Sequence, residues 1–245
     1  MRALARTLTR RVLRAYRRIR NRRPAVGRVE FGGLRRTTPV SRAFGFDRGQ
    51  PVDRFYIERF LAEHAADVRG RVLEIGDNAY TVRFGGTKVL HSDVLTADAS
   101  SPGATLVGDL TRSDGLPVAV YDCIIVTQTL QFIYDVHAAV RTLERLLKPG
   151  GVVLATLPGI SQISRYDMDR WGEYWRFTSR SARRVFEEVF PAEAVVVRAY
   201  GNVLAATGFL HGVAAEELNE GELLVVDPDY ELVICVRAEK SGGPA

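Results

Sequence analysis

The sequence predicts an α/β domain: a mostly parallel sheet flanked by helices. Three observations carry that prediction. Short apolar runs alternate with amphipathic, helix-period segments along residues 52–236. The runs YDCIIV (121–126) and VVLATL (152–157) are apolar almost without interruption, as strands buried on both faces are. Turn formers close the runs: Gly76, Gly108-Asp109 and Lys148-Pro149-Gly150-Gly151.

The chain has 245 residues, 46% of them hydrophobic and 26% charged, which suits one globular domain rather than a disordered chain. It contains no run of about 18 apolar residues that could cross a membrane as a helix. Cys123 and Cys235 lie in apolar runs and read as buried thiols. They and the dispersed His64, His91, His137 and His211 form no metal-ligand spacing, so no metal is expected.

The positive charge is concentrated at one end. Residues 1–36 hold 13 arginines and one acid, a net +12; the whole chain carries +5, so residues 37–245 carry 5 − 12 = −7. Residues 1–36 are a basic arm, and Leu4, Leu8, Val12, Ala15 and Ile19 draw an apolar stripe at helical spacing along it. Two readings of residues 1–23 stand open: an amphipathic helix on an anionic membrane surface, or an extension that meets a protein partner. The expected location is cytoplasmic, peripheral to the inner membrane surface in the first reading. The acidic body and the absence of a recognisable module argue against a specific nucleic-acid partner.

The remaining elements follow in order. Residues 21–50 read as a linker and an irregular segment. Residues 52–67 place Phe55, Ile57, Phe60 and Leu61 near helical spacing. Strands are expected at 71–75, 88–91, 105–107, 121–126 and 152–157. Helices are expected at 136–147 and 179–189, the latter capped by Ser179 or Ser181. Late strands fall at 195–199 and 231–236, with a helix near 204–218 between them. Only residues 77–87 separate the first two strands, so that crossover has room for one or two helical turns. No internal repeat is visible, and residues 37–245 read as a single domain.

Ligands of parallel sheets bind beyond the carboxyl ends of the strands. Glu74-Ile75-Gly76-Asp77-Asn78, Ser92-Asp93, Gly108-Asp109-Leu110 and Thr127-Gln128 stand at those ends. An acid after the second strand suits ribose hydroxyls, with Asp93 favoured over Asp98. An acid after the third, Asp109, suits an exocyclic amine or caps its own turn with Thr111. Gly76 lets a ligand approach the backbone. Together these describe an adenosine pocket.

The stretches VLEIG (72–76), GDL (108–110), YDCIIVTQTLQFI (121–133) and LLKPGGVVLATLPG (146–159) resemble class I S-adenosylmethionine-dependent methyltransferases of the type 11 kind. YWRFTSRSARRVFEEVF (174–190) resembles the segment after their fifth strand. Residues 41–61 and 161–179 resemble methyltransferases met beside glycosyltransferases in bacterial glycan pathways. The resemblance implies a Rossmann-like, doubly wound, mostly parallel seven-stranded sheet and S-adenosylmethionine as cofactor. It implies cofactor contacts from Glu74, Gly76, Asp77, Asn78, Asp93, Asp109, Leu110, Thr127 and Gln128, with Gln131 facing the site. The implied reaction is methyl transfer to a small polar acceptor such as a sugar or glycan hydroxyl. The chain departs from the family's E-x-G-x-G-x-G loop, because Asn78 and Tyr80 stand where glycines are expected.

The segment 160–178 is rich in aromatics flanked by charge. Tyr166, Trp171, Tyr174, Trp175 and Arg176 are expected to bind substrate under a lid, and Asp167 and Asp169 are the candidate bases. The eroded glycine loop motivates the alternative of a degenerate methyltransferase-like partner or scaffold of a membrane-associated glycan-synthesis enzyme. A nicotinamide dehydrogenase would need G-x-G-x-x-G after the first strand, which is absent.

Overall fold

The computed structural model describes residues 24–112 and 114–242. The chain divides into two units at Thr38/Pro39. In the first, the described residues hold one short turn, Gly32–Leu34. The apolar stripe and the membrane or partner reading of residues 1–23 lie outside the described residues.

The second unit is built on a sheet of seven strands: β1 (Gly70–Ile75), β2 (Val89–Thr96), β3 (Leu106–Val107), β4 (Tyr121–Thr127), β5 (Leu147–Pro158), β6 (Val195–Tyr200) and β7 (Val233–Glu239). Their spatial order is β3-β2-β1-β4-β5-β7-β6. The first five are parallel, and β7 runs antiparallel to both β5 and β6. The helices are α1 (Val52–Glu63), α2 (Val136–Leu146), α3 (Arg165–Trp171), α4 (Ser179–Glu187), α5 (Val203–His211) and α6 (Glu220–Leu223). Among the described residues no helix is long and apolar enough to cross a membrane.

Both sheet faces are covered because successive strand residues point to opposite sides. Leu73, Leu95, Ile124, Val126 and Val153 pack with α2 and α4 in one core. Val72, Cys123, Ile125 and Leu154 pack with α1 and α5 in the other. Each fully buried aliphatic or aromatic side chain contributes about 1.5–3 kcal/mol. Helix α2 places Val136, Ala139, Val140, Leu143 and Leu146 on its inner face, and Asp135 caps it by accepting from Ala138 N at 2.9 Å.

The elements differ from the sequence expectations where pairing overrides local signals. Strand β2 runs on past His91 to Thr96, because it stays hydrogen-bonded to β1 and is joined by β3. The KPGG turn lies inside β5 as a bulge, with the register shifting opposite Tyr121/Cys123. Thr178 caps α4, in a reciprocal pair with Ser181. The 204–218 segment is broken by Gly212 at φ +69, where a Cβ would lie 2.3 Å from Ser41 O. The β1–β2 crossover is one π-helical turn, Thr81–Gly85, followed by Gly86–Lys88.

Candidate active site

Strand order reverses between β1 and β4, so a crevice opens beyond their carboxyl ends. Gly76 sits on its floor at φ +92 with nothing within 4 Å of where a Cβ would be. Its N–H donates to Leu95 O at 3.0 Å, leaving the other side of the backbone open. Buried Glu74 holds the loop behind it. Its Oε2 accepts from Thr81 N and Thr81 Oγ1, both at 2.7 Å, and its Oε1 accepts from Tyr80 N at 3.2 Å. Burial pushes the Glu74 carboxyl up, and these bonds only partly oppose it. Asp77 Oδ1 caps its own turn by accepting from Ala79 N at 2.9 Å. Asn78 Nδ2 donates to Ser92 Oγ at 3.4 Å.

Tyr80, in the place of a family glycine, turns into α1. Its Oη accepts from Arg54 Nη1 at 2.9 Å, and its ring stacks on Phe84 at 6.0 Å. The Arg54 guanidinium lies over both the Tyr80 and Phe46 rings, at 5.9 and 6.0 Å. Tyr80 and Arg54 therefore hold the loop from outside, in place of the absent glycines. Neither Arg54 nor its neighbour Asp53, whose carboxyl is pushed up by burial, was expected from the sequence. An Asp-Arg pair in a helix's first turn carries no signal until the fold brings the cofactor loop to it.

Asp93 is not at the crevice. It pairs with Leu73 in mid-strand, where its Oδ2 accepts from Arg71 Nε at 2.8 Å and its Oδ1 from Thr105 Oγ1 at 3.1 Å. Burial pushes its carboxyl up, but the Arg71 and Thr105 bonds more than reverse that, and the net shift is downward. The extra length of β2 is the reason: the carboxyl edge falls after Thr96, and exposed Asp98 stands there instead. Asp98 Oδ1 accepts from Ser100 N and Oγ, both at 2.8 Å, which holds the acid low. Asp109 does stand beyond β3, and it caps its turn by accepting from Thr111 N at 2.8 Å. Leu110 is buried in the core rather than open to a ligand.

At the end of β4, Gln128 adopts φ +46, an uncommon conformation for a residue with a side chain. Gln131 Nε2 donates to Gln128 O at 2.9 Å. Gln128 Nε2 and Gln131 Oε1 are both buried without a hydrogen-bond partner. Thr127 O accepts from Thr129 Oγ1 at 3.0 Å.

A family model described as a methyltransferase domain matches residues 33–198. The chain belongs to that methyltransferase family. Its sheet is that of the class I enzymes, whose cofactor is S-adenosylmethionine. Similar solved structures include a SAM-dependent methyltransferase from Archaeoglobus fulgidus, at 11% identity and TM-score 0.51, covering 76% of this chain and 94% of that one. The N-methyltransferase NodS from Bradyrhizobium japonicum WM9, in complex with S-adenosyl-L-homocysteine, matches at 14% identity and TM-score 0.52, covering 82% and 94%. The [4+2]-cyclase SpnF matches at 17% identity and TM-score 0.51, covering 80% and 85%. At these identities the likeness is one of fold. No curated protein matches the sequence.

In this methyltransferase the crevice residues fit the cofactor: an open glycine floor and a loop held by Glu74. The 160–178 segment is tied to that end, for Tyr174 N donates to Gln131 O at 2.8 Å. Trp175 Nε1 donates to Ile133 O at 3.1 Å, and its ring stacks on Tyr134 at 6.0 Å; Tyr174 meets Tyr134 edge-on at 5.3 Å. Tyr134, absent from the sequence candidates, is the centre of this aromatic platform. Tyr166 stands apart, its ring covered by Arg170 at 3.5 Å. Trp171 joins only through its carbonyl, which accepts from Tyr174 Oη at 3.5 Å.

Arg176 is exposed; it pairs with Glu173 at 2.6 Å and donates to Gln162 O and Trp175 O. Asp167 is engaged by the helix cap, accepting from Ser164 Oγ at 2.6 Å. Asp169 is exposed on α3.

Arg48 belongs to a structural clamp outside the crevice. Its Nε donates to Glu217 Oε2 at 2.9 Å and its Nη2 to Glu217 Oε1, while Ala214 N also donates to Glu217. The Arg48 bonds, then the Ala214 bond, hold the Glu217 carboxyl down to about 2. A depressed acid contributes stability that is present above its unfolded value of 4.5 and is lost as pH falls toward 2. Glu217→Gln should therefore flatten the stability–pH curve in that window, as read by thermal melts at stepped pH. An unchanged slope would show that the clamp is not linked to folding.

Proposed function

We propose that the crevice binds S-adenosylmethionine and methylates a hydroxyl of a small polar ring compound, a sugar or glycan unit. In this reading residues 37–245 are the catalytic domain and 160–178 its substrate lid. Bound S-adenosylmethionine supplies an electrophilic methyl group. Gly76 lets the cofactor lie against the β1 loop, Asp98 takes the ribose role expected of Asp93, and Asp109 stands toward the base.

The observation that carries the acceptor reading is the aromatic platform tied to the segment after β4 through Tyr174 N and Gln131 O. Tyr134, Tyr174 and Trp175 are 72%, 50% and 37% exposed, so rigid ring faces are open to a ligand. These residues align the acceptor, and alignment alone is worth several kcal/mol of the barrier.

The test is methyl transfer from labelled S-adenosylmethionine to a panel of sugars and glycans, beside calorimetry of cofactor binding. Trp175→Ala should raise the acceptor KM roughly tenfold, the loss of one aromatic contact, and leave cofactor affinity unchanged. Failure to bind the cofactor at millimolar concentration would favour a degenerate scaffold. Binding without transfer to any sugar would discard the acceptor class alone.

A further inference from the structure

A second cavity lies away from the crevice, between α1 and the edge strand β6. It measures about 390 Å³ and is lined by Arg59, Glu63, Arg198, Tyr200, Leu224 and Val226 among others. Strand β6 stands three places from β4 in the sheet, roughly 14 Å at ordinary strand spacing, so the two sites are separate.

The polar end of the cavity is short of negative charge. Glu63 accepts Arg198 Nη1 at 2.8 Å on one oxygen and lies 3.4 Å from Arg59 Nε on the other. One carboxylate thus serves two guanidiniums, leaving a net positive charge and spare N–H donors. Tyr200 is only 9% exposed, and its phenol lies beside the Arg198 side chain. The Tyr56 ring stacked on it at 5.6 Å has its own hydroxyl satisfied by Leu223 O at 2.8 Å.

The other end is apolar and open. Leu224 and Val226 are 43% and 55% exposed, and Val225, Val203 and Leu204 continue the surface. Asn202 fixes this arrangement, donating to Glu222 O and Val225 O and accepting from Leu204 N and Ala205 N. Such a contiguous apolar surface beside a cationic cavity marks a ligand site rather than scattered surface residues.

We propose that this groove binds an amphipathic anion, a carboxylate or phosphate on a short apolar chain. The head group meets Arg59 and Arg198, and the chain lies along Leu224 and Val226. The ligand acts at a site distinct from the methyl-transfer crevice.

Calorimetry on the full chain with four probes tests this: octanoate, octyl phosphate, inorganic phosphate and octanol. At least one of the two amphiphiles should bind about tenfold or more tighter than both phosphate and octanol, since head and chain contribute separately. Whichever binds tighter names the head group. Arg198→Gln and Val226→Asp should each weaken that binding about tenfold, with S-adenosylhomocysteine affinity unchanged as the sign of an intact fold. Phosphate binding as well as octyl phosphate would reduce the site to an anion contact and overturn the proposal. Octanol binding as well as octanoate, or no amphiphile binding at millimolar concentration, would overturn it too.

Discussion

Gly76→Val should lower affinity for S-adenosylhomocysteine by about 100-fold or more while the protein stays folded. The fold tolerates the change because a Cβ at Gly76 meets no atom within 4 Å. The structural cost is confined to the backbone: φ +92 is a conformation that a β-branched residue strongly resists, and such strain runs to about 1–3 kcal/mol. The binding cost is larger, because the new side chain fills the open floor against which the cofactor must lie. Gly76→Ala should fall between the two. Calorimetry reads the affinity and circular dichroism the fold. A valine variant that binds like the parent would mean that the cofactor does not pass over the end of β1.

Glu74→Ala should be the most destabilising single change at the crevice, by about 3–5 kcal/mol, the range for stripping the partner from buried charge-assisted bonds. Three donors converge on this carboxylate, and Thr81 beneath it is almost fully buried. Alanine leaves Thr81 N, Thr81 Oγ1 and Tyr80 N without an acceptor and lets the π-helical turn at Thr81–Gly85 come loose. The denaturation midpoint should fall and cofactor binding should vanish together. Glu74→Gln retains an acceptor oxygen and should recover part of both. If alanine abolished binding without moving the midpoint, Glu74 would be a ligand contact rather than the anchor of the loop.

These two residues were legible in the sequence because their signals are local. VLEIG states a buried strand, an acid and a turn in five consecutive residues. Asp93 misled because a strand's end is decided by its neighbours: pairing with β1 and β3 carries β2 on to Thr96 and moves the edge to Asp98. Charge in a loop such as Arg176 and Asp167 does not say which protein groups engage it. Glu173 and Ser164 claim these two.

Residue order was enough for the sheet, the family and the edge at which a ligand would sit. Alternation of buried strands with amphipathic helices admits few topologies, and parallel strands put their ligand at one edge. Packing across the chain settles what holds the cofactor loop and which rings gather beyond β4. Arg54 lies 26 residues from the Tyr80 it binds, and Tyr134 lies 41 from the Trp175 whose indole N–H its carbonyl accepts. Side chains so far apart share no pattern along the chain, because their meeting is a consequence of packing and not of any local period.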